Sequence, residues 1–313
     1  MTSSIPALPA GIRSQCFDLP HGIRLSCRVA GAADAPRLVF LHGFPQAAFI
    51  WDELLLHLAP RFLCIAPNLR GYEHSSAPAA VEAYRPKHLV ADIAALIGAS
   101  GPGPLAALVA HDWGGALAWN LAVARPALLR RLVMINSPHP GAFLRELQHN
   151  PLQQAASAYM NFLARPDAAA LLAEDDFGRM WPFFLNMGGA RWLTPALRET
   201  YRALWRGDGS AEPGRGLVGP SNYYAASPLR PPTAEDAGAA RIQLADEQLT
   251  VRVPTTVVWG EADIALPTAL LDGLERWVPD LDVQRVPGAS HWLLQEDAAP
   301  VIEGLERALA RAV

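Results

Sequence analysis

The chain contains 313 residues, of which 51% are hydrophobic and 18% are charged, and its formal net charge is −4. This composition predicts a globular protein with a sizeable core, and the charge argues against nucleic acid or an anionic membrane as a partner. No apolar stretch is long enough to span a bilayer, and residues 1–13 lack the apolar region of a signal peptide. Three cysteines without metal-binding spacing, Cys16, Cys27 and Cys64, are expected to be reduced in a cytoplasmic protein.

Eight short apolar runs predict β-strands. In chain order they cover residues 14–19, 22–29, 38–42, 62–66, 106–110, 132–135, 255–259 and 282–286. The middle runs are continuously apolar, which is typical of strands that are covered on both faces. Helical patterns alternate with them at residues 87–97, 114–123 and 301–309. This alternation predicts an α/β fold with a mostly parallel sheet, right-handed crossovers and flanking helices.

The alternation of strands and helices stops between residues 138 and 250. This segment contains no convincing strand, but it has helical patterns at residues 153–163, 167–172 and 195–205. Two stretches rich in loop-forming residues, 207–219 and 227–239, are predicted to be loops. The simplest interpretation is a helical insertion between the sixth and seventh strands. The α/β core would then consist of residues 1–137 and 251–313, with residues 138–250 inserted between them.

Asp112 lies where the strand at 106–110 meets the helix that begins at residue 114. The small residues Ala110, Gly114 and Gly115 surround it, as a sharp strand-to-helix turn requires. Many hydrolases have a serine at this position, whereas a carboxylate suits attack on saturated carbon. The N-terminus of the following helix stabilises the negative charge of such a nucleophile. The alternative is that Asp112 only caps the helix.

Two later segments provide companions for Asp112 in the chain order nucleophile, acid, histidine. His291 follows the last predicted strand, where an imidazole can act as a general base. The other eight histidines are interpreted as structural or solvated. Asp263 follows the seventh strand, where a carboxylate can orient the imidazole, and Glu261 competes for the same role.

The loop after the third strand is expected to contribute an oxyanion hole. In hydrolases with this type of turn, one backbone N–H comes from that loop and another from the residue after the nucleophile. In this chain the two donors would be the N–H groups of Phe44 and Trp113. The alternative for the loop is a plain Gly-Pro turn. We also expect His42, Pro45 and Trp113 to contact the substrate.

These motifs resemble those of α/β-hydrolases with a cap domain, and in particular those of the soluble epoxide hydrolases. The resemblance extends over essentially the whole chain. It depends on HGFP at 42–45, RGY at 70–72 followed by SSAP at 75–78, HDWGG at 111–115, SPHP at 137–140, WGxxD at 259–263 and HW at 291–292. It implies the α/β-hydrolase fold with residues 138–250 as a helical cap, and it favours Asp263 over Glu261. Asn68 and Glu73 depart from the family pattern, which affects the expected loop packing more than the chemistry.

The resemblance also implies that two tyrosines of the inserted segment donate hydrogen bonds to the oxygen of an epoxide. Tyr159 and Tyr224 occupy positions similar to those of the family, and a phenol can lend its proton as a strained C–O bond breaks. The alternative for Tyr159 is an ordinary core aromatic that pairs with Phe162. The alternative for Tyr224 is loop packing together with Tyr223. Ala225 stands where relatives often have Arg, which weakens this part of the resemblance.

The implied activity is that of an epoxide hydrolase, with water and a small-molecule epoxide as substrates. Asp112 would form a covalent alkyl ester, and His291, oriented by Asp263, would activate the water that releases a vicinal diol. This mechanism needs no cofactor or metal, and a homodimer is compatible with it.

A haloalkane dehalogenase is the nearest alternative, because both families share HDWGG and the same triad. These enzymes hold the halide with the Trp after the nucleophile and with either an Asn of the HGxP loop or a Trp of the cap. Phe44 removes the first option, and three tryptophans leave the second open: Trp181, Trp192 and Trp205. A conventional esterase is disfavoured by Asp112, and a fluoroacetate-type dehalogenase by Trp113. A non-catalytic ligand-binding module is disfavoured by the intact triad.

Overall fold

A mostly parallel sheet forms the centre of the protein in the computed structural model, which describes residues 8–207 and 214–311. The strands are β1 Arg13–Asp18, β2 Arg24–Ala30, β3 Arg37–Leu41, β4 Leu63–Pro67, β5 Ala107–His111, β6 Leu132–Ile135, β7 Thr255–Gly260 and β8 Leu281–Val286. Their order in the sheet is β1-β2-β4-β3-β5-β6-β7-β8. Strand β2 is antiparallel to β1 and β4, and the other pairs are parallel. The predicted eight-stranded sheet is therefore confirmed.

Helices cover both faces of this sheet. In chain order the α-helices are α1 Asp52–Leu58, α2 Pro86–Ala99, α3 Asp112–Ala124, α4 Pro140–His149, α5 Pro151–Ala156, α6 Tyr159–Leu163, α7 Ala168–Phe177, α8 Trp181–Leu185, α9 Pro195–Arg206, α10 Arg215–Ala226, α11 Leu293–Glu296 and α12 Ala299–Ala310. Along β3, Leu38 and Phe40 join one apolar cluster while Val39 and Leu41 join another. Because successive side chains of a strand point to opposite faces, the two clusters lie on opposite sides of the sheet. This double coverage explains the continuous apolar runs.

The helices α4 to α10, which lie between β6 and β7, form the helical insertion. The prediction of a single helix over residues 153–163 was wrong, because a turn at Ser157 separates α5 from α6. The periodicity also missed α4 and α8. The predicted loop at 207–219 is wrong from Arg215 onward, where α10 begins, and its residues 208–213 lie outside the described part of the chain.

The glycines at the start of α10 are the reason why this segment was predicted to be a loop. In the structure, a close contact between two backbones requires glycine at position 219. A Cβ atom on Gly219 would lie 2.5 Å from the Cα of Gly71, so the helix and the loop after β4 touch through their backbones. The neighbouring Tyr223 hydroxyl donates to the carbonyl of Arg70 at 2.9 Å. Arg70 in turn forms a buried ion pair with Asp92 of α2, at 2.6 Å between Nη2 and Oδ1. These contacts dock the helical insertion onto the core.

No helix within residues 8–207 and 214–311 has the length and apolar character that crossing a membrane requires. Asn68 and Glu73, which depart from the family pattern, contact each other in the loop after β4. The Asn68 side chain accepts from the Ala48 N–H at 2.9 Å and donates to the Ser26 hydroxyl at 3.0 Å. It also donates to the carboxylate of Glu73.

Candidate active site

The candidate site lies at the carboxyl ends of the parallel strands, where ligands bind in open α/β sheets. Phe44 follows β3, Asp112 follows β5, Asp263 follows β7 and His291 follows β8. Parallel strands present their carboxyl ends at one edge of the sheet, so residues far apart in the chain meet there. The structure brings these four residues together.

Asp112 sits in a tight turn that only glycine neighbours allow. Its φ angle of +50° lies in the left-handed region, which non-glycine residues rarely adopt. A Cβ atom on Gly43 would lie 2.1 Å from Asp112 Oδ1, and one on Gly114 would lie 2.4 Å from the Leu41 carbonyl oxygen. The Ser137 hydroxyl donates to the Asp112 carbonyl at 2.7 Å and fixes the turn from the β6 side.

Asp112 is the first residue of α3 and does not occupy its N-cap position, which is His111. Its Oδ1 accepts from the backbone N–H of Phe44 at 2.7 Å. The backbone N–H of Trp113 also bonds to this carboxylate. The two amides expected to form an oxyanion hole are thus directed at Asp112.

His291 bridges the two carboxylates. Its Nδ1 lies 2.7 Å from Asp263 Oδ2, and its Nε2 lies 3.7 Å from Asp112 Oδ2. An ionised carboxylate can only accept, so Nδ1 carries the proton and Nε2 is left as the basic nitrogen facing Asp112. This arrangement has the geometry of a nucleophile, a base and an orienting acid.

Asp263 is held by three donors besides His291. Its Oδ1 accepts from the backbone N–H groups of Ala265 and Leu266, each at 2.9 Å. Its Oδ2 accepts from Asn136 Nδ2 at 2.8 Å. A buried carboxylate with this many donors is fixed in orientation.

Asn136 is a functional candidate that the sequence analysis missed. It directly follows β6, its φ angle is +37°, and its side chain is fully buried. The amide oxygen accepts from the Gly260 N–H at 2.8 Å while its nitrogen donates to Asp263. Asn136 therefore ties the acid loop after β7 to the end of β6. The sequence offered one indication of this role, which is the position of Asn136 directly before the SPHP motif.

Glu261 does not occupy the acid position. Its carboxylate is partly exposed, and Oε1 lies 3.3 Å from Nη1 of Arg285 on β8. Of the two carboxylates considered for the role, the structure places Asp263 against His291.

Burial and charge shift the pKa values of the site in a consistent way. Burial raises the pKa of Asp112 above its usual value, although His291 and the two backbone amides oppose this shift. Burial alone lowers the pKa of His291, but the charge of Asp263, its hydrogen bond and the charge of Asp112 outweigh burial and raise it. Both shifts follow from the enclosure of mutually interacting charges in a dry site.

Tyr159 and Tyr224 come from the helical insertion and face Asp112. Tyr159 begins α6, and Tyr224 lies on α10 rather than in a loop. Their ring centroids are 6.1 Å apart. The Tyr224 ring packs edge-on against Phe44 and Trp113, at 5.3 and 5.1 Å. Among the described residues, no ring contact joins Tyr159 to Phe162. The structure therefore does not show the pairing with Phe162 that the alternative interpretation of Tyr159 as an ordinary core aromatic expected.

The hydroxyls of both tyrosines stay protonated. Burial raises the pKa of Tyr159 and of Tyr224 well above the usual range, and the charge of Asp112 acts in the same direction. Both hydroxyls are therefore available as hydrogen-bond donors at ordinary pH.

Two cavities meet at Asp112, Tyr159 and Tyr224. The larger has a volume of about 580 Å³ and includes His291 and Phe44 in its wall. Its other lining residues are mostly apolar, and they include Phe162, Leu172, Pro182, Phe183, Met187 and Trp292. The smaller, of about 90 Å³, is lined by Trp113 together with Met160, Phe143, Leu229 and Leu266. We call them the large and the small lobe.

The structure does not bring His42 and Pro45 to the wall of either lobe. The His42 ring is fully buried: Nε2 accepts from the Leu69 N–H at 3.1 Å, and Nδ1 lies 3.1 Å from the Gly43 carbonyl. The Pro45 carbonyl accepts from the Trp205 indole at 3.0 Å. The expected substrate contacts of His42 and Pro45 are corrected to structural roles, because these groups support the loop from behind.

The three tryptophans considered as halide ligands lie away from the site. Trp181 packs on Trp205, with ring centroids 5.0 Å apart, and Trp192 packs on Phe184 at 5.6 Å. None of the three belongs to the described residues that line either lobe. Within residues 8–207 and 214–311, no group of three or more His, Cys, Asp or Glu is arranged to hold a metal ion.

Comparison with known proteins agrees with this architecture. A family model described as alpha/beta hydrolase fold matches residues 36–298. The AB hydrolase superfamily protein YfhM of Bacillus subtilis is 32% identical over 93% of this chain and 96% of its own length. Epoxide hydrolase 3 of Mus musculus is 32% identical over 88% of this chain and 70% of its own. A solved structure described among novel epoxide hydrolases from metagenomes of hot environments has a TM-score of 0.82 at 34% identity, covering 96% of this chain and 99% of that one.

Proposed function

Because the chain belongs to the α/β-hydrolase superfamily as an epoxide hydrolase-like member, we propose that it converts an epoxide into a vicinal diol. The observation that carries this proposal is the meeting of a buried carboxylate with two protonated phenols. Asp112, Tyr159 and Tyr224 border the same cavities, so an epoxide placed there has a nucleophile on one side and two donors on the other.

In the first step Asp112 Oδ2 attacks an epoxide carbon. The Phe44 amide holds Oδ1, which leaves Oδ2 as the free oxygen of the carboxylate. A C–O bond forms between Oδ2 and the carbon while the strained C–O bond breaks, and its oxygen takes a proton from Tyr159 or Tyr224. The product is a hydroxyalkyl ester of Asp112.

In the second step His291 Nε2 removes a proton from water. The hydroxide attacks the carbonyl carbon of the Asp112 ester, and the Phe44 and Trp113 amides stabilise the developing oxyanion. Collapse of this intermediate breaks the bond between the Asp112 carbonyl carbon and the substrate oxygen and releases the diol, which takes its second proton from His291. The proton left on the Asp112 carboxyl group then returns to the tyrosinate formed in the first step, which restores the free enzyme. Asp263 stabilises the imidazolium that forms between these events.

The helical insertion supplies both tyrosines and most of the large lobe, and residues 138–250 are therefore proposed to act as a cap over the core. The large lobe can hold one bulky apolar substituent, whereas the small lobe has room only for a small group. A cytoplasmic location and a homodimer stay predictions of the sequence.

The dehalogenase alternative lacks a second halide donor among the tryptophans considered for that role. Of the four tryptophans named as halide ligands, Trp113 is the one that lines a lobe among the described residues. Its indole N–H bonds to the Tyr224 hydroxyl. A hydroxyl already placed on this indole suits an oxygen leaving group better than a halide.

Replacement of His291 by Gln tests the proposal, because it blocks only the second step. The variant is incubated with an aryl glycidyl ether and, separately, with a haloalkane, and the peptide containing Asp112 is then weighed. We expect this peptide to gain the full mass of the epoxide, since the ring opens without loss of atoms. The matched control is the double variant Asp112→Asn with His291→Gln, which should gain nothing. An adduct from the haloalkane alone would contradict the proposal.

A further inference from the structure

A carboxylate outside the triad holds the loop that carries His291. Glu296, the last residue of α11, accepts two hydrogen bonds from Ser290, the residue before His291. The Ser290 N–H donates to Oε2 at 2.8 Å, and the Ser290 hydroxyl donates to Oε1 at 2.8 Å. Ser290 is itself buried. Hydrogen bonds to an ionised acceptor are among the strong ones in proteins, so this pair fixes the backbone directly before the imidazole.

The other side of His291 is fixed as well. The Trp292 N–H donates to the Ser290 hydroxyl at 3.1 Å, which closes the loop on itself. His111 Nε2 donates to the His291 carbonyl at 2.9 Å. With the peptide groups on both sides of His291 held, the direction of its Cα–Cβ bond is fixed, and the hydrogen bond to Asp263 then orients the ring.

The same loop contacts the helical insertion. The Trp292 indole donates to the Phe183 carbonyl at 2.9 Å, and the Ser290 hydroxyl lies 3.0 Å from the Met187 carbonyl oxygen. A hydroxyl has one proton, and the charge of Glu296 favours donation to the carboxylate. Glu296 therefore competes with the insertion for the Ser290 proton and keeps the His291 loop attached to the core.

We propose that Glu296 is a positioning residue that acts through Ser290 to hold His291 against Asp263. This inference rests on the proposed function, in which His291 serves only the second step. Loss of the Glu296 carboxylate should then slow hydrolysis of the Asp112 ester and leave its formation unchanged. A residue needed only for folding would affect both steps alike.

The test compares Glu296→Gln with Asp297→Asn, a neighbouring exposed carboxylate whose Oδ1 accepts from the Ala299 N–H at the start of α12. A glutamine offers one oxygen to the two donors of Ser290, so one of them loses its partner. For Glu296→Gln with an aryl glycidyl ether we expect kcat and KM to fall together by roughly tenfold, with kcat/KM unchanged. The Asp112 ester should accumulate in the steady state. Asp297→Asn should behave like the unchanged protein.

A second readout does not depend on turnover. The His291 Nδ1 proton, which bonds to Asp263 at 2.7 Å, should give a low-field NMR signal. We expect this proton to exchange faster with water in Glu296→Gln than in Asp297→Asn. Equal loss of ester formation and ester hydrolysis, or unchanged exchange of the Nδ1 proton, would overturn the proposal. Absence of any Asp112 ester in His291→Gln would instead count against the proposed function, and the proton-exchange comparison would still decide the role of Glu296.

Discussion

The two sides of the site are built differently. On the core side, Asp112 directly follows β5, and Asp263 and His291 lie in the loops after β7 and β8. All three are connected by hydrogen bonds of 2.7 to 2.9 Å to backbone or side-chain partners. On the insertion side, Tyr159 and Tyr224 are placed mainly by ring packing at centroid distances of 5.1 to 6.1 Å. Ring packing is less directional than charge-assisted hydrogen bonding. In the proposed reaction the core side would therefore set the geometry, and the insertion side could vary with the substrate.

The largest effect is expected on the core side, at Asp263. Asp263→Asn keeps the size of the side chain but removes the charge that orients His291, and by analogy with other triads we expect kcat to fall by about 10³- to 10⁴-fold. Stopped-flow detection of ester formation and hydrolysis locates the loss in the second step. Glu261→Gln is the matched control, because Glu261 pairs with Arg285 instead, and it should retain full activity. Similar losses of kcat in both variants would mean that Asp263 has no role in orienting His291 that Glu261 lacks.

On the insertion side, Tyr224→Phe should slow formation of the Asp112 ester by roughly 10²-fold, since a phenyl ring cannot donate a proton to the epoxide oxygen. The adjacent Tyr223 offers the control, because its hydroxyl bonds to the Arg70 carbonyl outside the site. Tyr223→Phe should leave ester formation unchanged and lower the free energy of unfolding by about 1 kcal/mol. Single-turnover rates and urea denaturation measure the two effects, and an equal rate loss in both variants would argue that only packing matters here.

The junction between the two regions can be tested at Gly219. Gly219→Ala would place a Cβ atom 2.5 Å from the Gly71 Cα, and we expect it to lower the free energy of unfolding by about 1–3 kcal/mol. Gly98, in α2, is the matched control, because a Cβ atom added there would meet no described neighbouring segment within 4 Å. Gly98→Ala should raise the free energy of unfolding by about 0.5–1 kcal/mol. Equal stability of the two variants in urea would show that the backbone contact is not tight.

The pH dependence of kcat reports on the core side. His291 must be neutral to act as a base, and in the free enzyme its pKa is raised by the charge and hydrogen bond of Asp263 and by the charge of Asp112, which the ester no longer carries. The rate of ester hydrolysis should therefore rise with pH, by roughly tenfold per unit, until His291 is deprotonated. The tyrosines, whose pKa values are raised, should cause no loss near pH 9. A kcat that falls between pH 6 and pH 8 contradicts this assignment.

The smallest effect concerns the small lobe, on the insertion side. Leu229→Ala enlarges a cavity of about 90 Å³ without touching the triad. We expect kcat/KM for epoxides substituted on both carbons to rise by up to about tenfold, and kcat/KM for terminal epoxides to stay unchanged. Parallel assays with styrene oxide and trans-stilbene oxide measure the difference. An equal change for both substrates would mean that the small lobe does not receive the second substituent.

The core and the insertion also differ in how well the sequence predicts them. Periodicity located the strands, and chain order then placed Asp112, Asp263 and His291 at one edge of the sheet. The choice between Asp263 and Glu261 needed the family pattern, because strand periodicity cannot say which of two carboxylates in a loop turns inward. Asn136 was missed because its role depends on β6 and β7 being neighbours in space.

The insertion was harder to predict for physical reasons. Its helices are short, and glycines at the start of α10 serve a close contact with Gly71 that no local pattern reveals. The buried positions of His42 and Pro45 likewise follow from contacts with distant segments, at Leu69 and Trp205. Residues whose environment comes from the same strand or turn could be placed from sequence, and those packed by remote segments could not.

In the proposed mechanism, Asp112 itself supplies the oxygen that opens the epoxide. A single turnover in water enriched in ¹⁸O, with enzyme in excess over an aryl glycidyl ether, tests this directly. Because water attacks the carbonyl carbon of the ester, we expect ¹⁸O in the Asp112 carboxylate and an unlabelled diol. The peptide containing Asp112 and the diol can both be weighed from the same reaction. A labelled diol with an unlabelled Asp112 would mean that water attacks the epoxide without a covalent intermediate, and would contradict the role of Asp112 as the nucleophile.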